Sequence, residues 1–284
     1  MKIKIVTDST WDLNTYYKIK YDIDVVPLYI KIKDKIYKDL VDIKKDEFYK
    51  LMQNLKEPVS TSQPTPNDFL TTYKKYIKDY DYILSIHISS KLSGTINSAY
   101  SAKNEIDDIN KIVIYDSSYV SGALGLMVTE AAIQKDLGKD INFILKYLDQ
   151  LKKIIKSIFI LDNLEVLNRG GRIGKAKYLL GSLLNYKPIL TIKNGDVEPI
   201  MGGKLKTNEQ IIKKLLLFFK NNYNGGYIKG GIAHNFIQSD LPINLKNEIE
   251  KSAKIDAFVI QNLGVTVTSH VGLNTVGLTF FEYK

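Results

Sequence analysis

Three features of the chain predict an α/β protein of two domains, a Rossmann-like domain with a parallel sheet over residues 1–156 and an α+β domain with a mainly antiparallel sheet over 157–284. The 284 residues exceed the usual size of a single hydrophobic core. Short apolar runs alternate with helical segments through the first half, the pattern of a doubly wound fold. Near residue 157 that alternation gives way to strand-like runs with fewer helices between them. Apolar residues at 44% and charged residues at 25% are ordinary globular values.

In the first half, Lys2–Thr7 reads as a strand followed by the polar turn Asp8-Ser9-Thr10 and a short helix from about Asp12. Val25–Ile30 and Ile32–Tyr37 read as a strand and a hairpin arm, and Asp46–Leu55 as a helix. The stretch Ser60-Thr61-Ser62-Gln63-Pro64-Thr65-Pro66 reads as a polar loop. Thr65 as N-cap, with Pro66 at the first helical position and Asp68 soon after, starts a helix from Asn67 to about Lys78. Tyr82–Ile88 and Ile112–Tyr115 are buried strands. A helix opens after Ser93-Gly94-Thr95, and two more cover about Ser121–Leu137 and Ile141–Lys153. In the second half strands are expected at Ile158–Leu161, Ile189–Ile192, Val197–Met201, Tyr227–His234, Ala257–Leu263 and Val276–Phe281. Helices are expected at Asn163–Asn168, Ala176–Asn185, Glu209–Lys220 and Pro242–Ser252.

Composition removes several functions. There are no cysteines, so disulfides, thiolate metal sites and Cys nucleophiles are excluded. Three dispersed histidines do not make a zinc site, and no metal or cofactor is expected. The net charge of +9 is spread over lysines interleaved with acidic residues. It forms no basic stripe with aromatics, so no nucleic-acid partner is expected. No run approaches the ~20 apolar residues that cross a bilayer. Residues 1–8 pass straight into a strand pattern without signal-peptide character, and a soluble cytoplasmic protein is the expectation. Gly170 to Ala176 falls short of a phosphate loop, with Arg169 where its first Gly belongs and Ala176 where it needs Ser or Thr. A Gly-x-Ser-x-Gly nucleophile elbow is absent.

What remains is a set of polar turns and an arginine pair. Arg169 and Arg172 are the only arginines among 40 basic Lys and Arg residues, within Asn168-Arg169-Gly170-Gly171-Arg172-Ile173-Gly174. A guanidinium kept only here offers a planar fork for a carboxylate, a phosphate or a row of backbone carbonyls. Capping of a helix end is the plainer reading, and it suits Arg169 better than Arg172. Three hydroxyl-rich turns follow strands of the first half, where open parallel sheets bind ligands. Of these, Ser93-Gly94 sits at a helix N-terminus suited to an anion, although Ser93 alone also reads as an N-cap. Thr61 and Ser62 lie in a proline-stiffened loop that fits a carboxylate as well as it fits a structural turn. His270 precedes a glycine turn between two strands, while His87 reads as an ordinary buried residue. The helix over Ala176–Asn185, with Leu179, Leu180, Leu183 and Leu184, is a candidate wall for an apolar ligand or a piece of core.

Taken in order, these motifs resemble those of the DegV family. They are Val6-Thr7-Asp8-Ser9-Thr10, Val26-Pro27-Leu28, Ser60-Thr61-Ser62-Gln63-Pro64, Leu92-Ser93-Gly94-Thr95 and Asp116-Ser117. Leu164-Glu165-Val166-Leu167 leads into Gly170-Gly171-Arg172-Ile173, and Lys187-Pro188-Ile189-Leu190 and His270-Val271-Gly272 complete the set. The resemblance implies a carrier, without enzymatic activity of its own, that holds one long-chain fatty acid between two domains. It presents the carboxylate to a separate ATP-dependent fatty acid kinase, with only transient lipid exchange at membranes. The hydroxyls matching the family's headgroup site are Thr61 and Ser93, with Arg172 and His270 near the mouth. Lys204-Leu205-Lys206-Thr207 matches a partner-docking stretch, Lys206 standing where Arg is common. The family's His-x-Gly-Pro-Gly reads here as His270-Val271-Gly272-Leu273-Asn274, and Asn tolerates the left-handed angles of such a turn. The alternative is an enzyme acting on a small anion in the same crevice, with His270 as general base.

Overall fold

In the computed structural model, residues 1–12, 15–55, 57–180, 186–201 and 205–284 are described. The first half runs β1 (Ile3–Asp8), α1 (Thr15–Lys20), β2 (Asp24–Val26), β3 (Tyr29–Ile32), β4 (Lys35–Lys38), α2 (Lys45–Asn54), β5 (Ser60–Ser62), α3 (Pro66–Tyr76), β6 (Tyr82–His87), α4 (Thr95–Lys103), β7 (Ile112–Asp116), α5 (Ser121–Asp136) and α6 (Ile141–Ile154). The second runs β8 (Lys156–Ile160), α7 (Glu165–Arg169), β9 (Ile189–Lys193), β10 (Asp196–Pro199), α8 (Asn208–Asn222), β11 (Tyr227–His234), α9 (Leu241–Glu250), β12 (Lys254–Asn262), α10 (Val265–Val271) and β13 (Val276–Tyr283).

β2-β1-β6-β7 form a four-stranded sheet, all pairs parallel. Such strands are covered on both faces and read as continuous apolar runs. In β1 the exception, Lys4, is 2% exposed. Its ammonium donates to the Asp22 carbonyl at 2.7 Å, pairs with the Asp22 carboxylate at 2.6 Å and lies over the Tyr76 ring, so the buried charge is fully partnered. The second sheet has the order β10-β9-β8-β13-β11-β12. All its pairs are antiparallel except β11 with β12, in line with the α/β and α+β reading.

Helices build layers around these sheets. α3 and α4 cover one face of the parallel sheet through Phe69, Tyr73, Ala99 and Ala102. α5 and α6 cover its other face and also reach the second sheet, so that one core cluster joins Ile5 and Ile86 to Leu124, Leu148, Ile192 and Phe281. Period-2 alternation in β13 sends Leu278 and Phe280 the other way, into a second cluster under α8 and α9. Between α5 and β11, buried Glu130 accepts from Lys229 at 2.8 Å and from Tyr147 at 2.9 Å. Two helix starts carry full capping boxes, Thr65 with Asp68 and Thr207 with Gln210.

The structure corrects four local expectations. The strand expected over Val25–Ile30 breaks at Pro27, which has no N–H to donate to a ladder. The chain leaves β2 there and enters a separate three-stranded sheet, β4-β3-β5. Ser60–Ser62, expected as loop, is the strand β5, paired antiparallel with β3 so that Thr61 faces Ile30. The segment around His270, expected between strands, is the helix α10, closed by Gly272 at φ 75° and Asn274 at φ 57°. Asn274 thus adopts the left-handed turn without the proline. The helix expected over Ala176–Asn185 is a 3-10 segment, Gly174–Leu179, with Leu180 extended after it. Residues 181–185, including Leu183 and Leu184, lie outside the described residues.

Candidate functional site

β5 and the loop before α4 bring Thr61, Ser62, Ser93 and Gly94 to the carboxyl-end side of the parallel sheet. From the second half, α10 and the loop after α7 bring His270 and Arg172 to the same place. A cavity of about 480 Å³ opens there, lined by Thr61, Ser62, Ser93, Arg172 and His270 at its polar end. Its walls are largely apolar and come from both halves, with Leu28, Leu92, Val120, Phe159, Leu167 and Val267 among them. Leu179 and Leu180, the described part of the leucine stripe expected as a wall, are not lining residues; Leu179 packs against the main core and Leu180 is exposed. A second space of about 300 Å³ lies on the other side of Thr61, Arg172 and His270.

Thr61 Oγ1 and His270 Nε2 are 2.7 Å apart, a contact across 209 positions of sequence that no local spacing announces. His270 Nδ1 is buried without a hydrogen-bond partner. Burial, and secondarily the charge of Arg172, hold the imidazole down at about 4, so it is neutral at ordinary pH. The end of α7 abuts this ring: a Cβ on Gly170 would lie 2.6 Å from Nδ1, which only glycine avoids.

Arg172 spans the two halves through backbone carbonyls. Its Nη1 donates to Gly170 O at 2.7 Å and its Nε to Leu92 O at 3.2 Å. Of its five N–H donors these contacts use two, leaving the rest of the fork for an anion. Arg169 ends α7, is exposed, and has no side-chain partner among the described residues.

Ser93 lies one residue before the N-cap position of α4, which Gly94 occupies. Its Oγ contacts Thr95 Oγ1 at 2.9 Å and accepts from Thr95 N at 3.3 Å. The face that Gly94 leaves open is taken by Gln63: a Cβ on Gly94 would collide with Gln63 Oε1, and Gln63 Nε2 donates to Ser98 Oγ at 2.8 Å. Gln63 therefore fixes β5 against α4, a role its place in a polar stretch did not disclose. Lys206 is exposed, 5.0 Å over the Tyr186 ring, and Lys204 lies outside the described residues.

Beneath the site, His87 is wholly buried. Its Nδ1 is 3.0 Å from Asp8 Oδ2 and its Nε2 is 2.6 Å from Ser85 Oγ, which in turn contacts Tyr73 OH at 2.8 Å. Asp8 also accepts from Thr10 N at 3.0 Å and from the Thr10 hydroxyl, so this chain of bonds holds a cavity-lining residue. Alongside, residues 262–266 are gripped by groups of the first half. Gly264 N donates to Asp12 Oδ1 at 2.6 Å, Thr266 Oγ1 donates to Asp39 Oδ2 at 2.6 Å and Lys45 donates to Asn262 O at 2.6 Å. Burial raises both carboxyls, Asp12 to about 7.

Among the described residues no group of three His, Asp or Glu side chains could hold a metal ion, and no helix is long and apolar enough to cross a membrane.

Comparisons with known proteins match the chain over nearly its whole length. A model of the DegV family, described as an uncharacterised protein family, matches residues 2–283. A DegV domain-containing protein of Caldanaerobacter subterraneus subsp. tengcongensis is 34% identical, over 100% of this chain and 99% of its own. A protein of Thermotoga maritima named as a fatty acid-binding protein is 35% identical, over 98% of this chain and 96% of its own. The solved structure of a DegV family protein from Thermus thermophilus, described as binding fatty acid, superposes with a TM-score of 0.93 at 32% identity, covering 100% of both chains.

Proposed function

The chain belongs to the DegV family, and from that premise we propose that it binds one long-chain fatty acid in the cavity lined from both halves. The observation that carries this reading is a space of about 480 Å³ with mostly apolar walls and a polar group of Thr61, Ser62, Ser93, Arg172 and His270. A space of this size lies within the range of ordinary ligand pockets and suits a single acyl chain. Burying that chain at about 0.8 kcal/mol per methylene contributes on the order of 10 kcal/mol before ordering costs. Each hydrogen bond to the charged headgroup adds about 1.5–3 kcal/mol. The tail sets affinity and the polar end sets orientation. The relatives from Thermotoga and Thermus, whose names speak of fatty acid binding, support the same ligand.

In this reading Thr61, Ser62 and Ser93 receive the carboxylate beside Arg172 and His270, while Gly94, its open face taken by Gln63, starts α4. The protein is a carrier, and a separate ATP-dependent kinase phosphorylates the bound acid, docking on a surface that includes Lys204 and Lys206. The competing reading makes His270 the general base of an enzyme on a small anion. An imidazole held near 4 is a weak base at neutral pH, and a small polar ligand makes no use of the apolar walls. The test is to extract the purified protein with organic solvent and quantify acids by mass spectrometry, expecting about one long-chain acid per chain. Finding none, together with no rise in melting temperature on adding fatty acid, refutes the carrier. Acyl-phosphate formation with ATP and a cognate kinase tests presentation separately.

A further inference from the structure

The far wall of the cavity is the inner face of the large sheet, and it carries polar groups that neither the fold nor the headgroup site uses. Ser157 on β8 and Thr279 on β13 are direct partners across the strands, so their side chains lie together on one face, and both line the cavity. Among the described residues the Ser157 hydroxyl has only a 3.5 Å contact with Thr191 Oγ1, whose own proton goes to Ser157 O at 2.7 Å. Thr279 makes no side-chain hydrogen bond among the described residues. Gln261 of β12, 9% exposed, is not a lining residue; its Oε1 is buried with no partner among the described residues. The first turn of α5 passes between it and Thr279: a Cβ on Gly122 would lie 3.5 Å from Gln261 Nε2 and 3.6 Å from Thr279 Oγ1.

A plain hydrocarbon laid along this wall covers the Ser157 and Thr279 hydroxyls without offering them a partner, which is costly. A hydroxyl on the chain both donates and accepts, and so matches a wall offering both. We propose that the cavity selects a long-chain fatty acid bearing a hydroxyl remote from its carboxylate, seated on Thr279 and Ser157. The inference rests on the fatty-acid reading above and names the class of chain it takes. A site built to hydrogen-bond a ligand hydroxyl discriminates sharply against the analogue that lacks it.

The experiment measures displacement of a fluorescent fatty acid by stearate and by hydroxystearates with the hydroxyl moved stepwise along the chain. At least one hydroxystearate is expected to bind about tenfold tighter than stearate. Thr279→Val, which keeps the shape and removes the hydroxyl, abolishes that advantage and leaves stearate within about twofold of wild type. Ser157→Ala does the same independently, and serves alone if the Thr279 variant does not fold. Stearate binding with no preference for any hydroxystearate overturns this inference and leaves the fatty-acid reading intact. A preference that survives the folded variants overturns it as well. Failure of stearate and of every hydroxystearate to bind overturns both.

Discussion

Replacing Asp12 by Asn removes a proton-binding group from the junction between the turn after β1 and the start of α10. Asp12 is 1% exposed, its Oδ1 accepts from Gly264 N at 2.6 Å and its Oδ2 has no partner. Burial, opposed by the Lys45 charge, raises the carboxyl from 3.8 to about 7. Between those values the folded state binds the proton and the unfolded chain does not. Stability from this group is therefore complete below about pH 4 and lost as pH rises through about 7. Over some three units, at 1.36 kcal/mol each, the loss is roughly 4 kcal/mol. His270 acts in the opposite sense. Its folded value lies near 4, so its contribution is present above about 6.5 and lost as pH falls. The two slopes oppose each other in the wild type, which makes the difference between variant and wild type the quantity to measure. Denaturant unfolding of both proteins from about pH 5 to about pH 8 supplies it. Asn keeps an acceptor for Gly264, so the variant should gain about 1.4 kcal/mol per unit as pH rises toward about 7, then gain no more. A difference that is constant across the range would refute the proton-holding carboxyl.

Thr61→Ala and Ser93→Ala should each weaken fatty acid retention by about 1–3 kcal/mol in a displacement assay while the melting temperature of the lipid-free protein stays close to wild type. Full affinity in the double variant would exclude this headgroup site. Arg172→Lys keeps the charge but loses the fork that reaches Leu92 O and Gly170 O. It should cost about 1 kcal/mol of stability and reduce acyl-phosphate formation, whereas Arg169→Lys should do neither; equal behaviour of the two would count against a role for the pair. Gly94→Ala drives a methyl into Gln63 and breaks its bond to Ser98, costing about 1 kcal/mol by thermal unfolding. That cost should vanish in a Gln63→Ala background, and additive effects would show that the close approach is not the cause.

The apolar runs of β1 and β6, the periodicity of α3 and α8 and the cap of α3 made most of the parallel and six-stranded sheets and the helices around them legible in the sequence. Segments shaped by distant contacts were not. Ser60-Thr61-Ser62 carries no apolar alternation and becomes a strand because the open edge of β3 needs partners for its backbone. Val265-Thr266-Val267-Thr268 is rich in β-branched residues that disfavour helices, yet forms α10 because all four are buried against neighbouring elements. The family motifs implied that Thr61 and His270 belong to one site, but their direct contact at 2.7 Å follows from no spacing rule. Gln63 and Asp12 gave no local signal, since their partners Gly94 and Gly264 become visible only through close approach.

The grip on residues 262–266 bears on how the protein could be cut or assembled. A fragment ending at the boundary proposed near residue 156 would hold Asp12 and Asp39 without Gly264 and Thr266, and Tyr49 without the Leu263 carbonyl it donates to. Its carboxyls would have to ionise in water or stay buried without their donors, and neither choice preserves the native packing. The complementary fragment would leave the N-terminal end of α10 bare, so the helix bearing His270 would lose its orientation. Expressed as separate chains, the halves would regain their packing by reassociating, and a split protein made this way would act as a two-part reporter of its own closure.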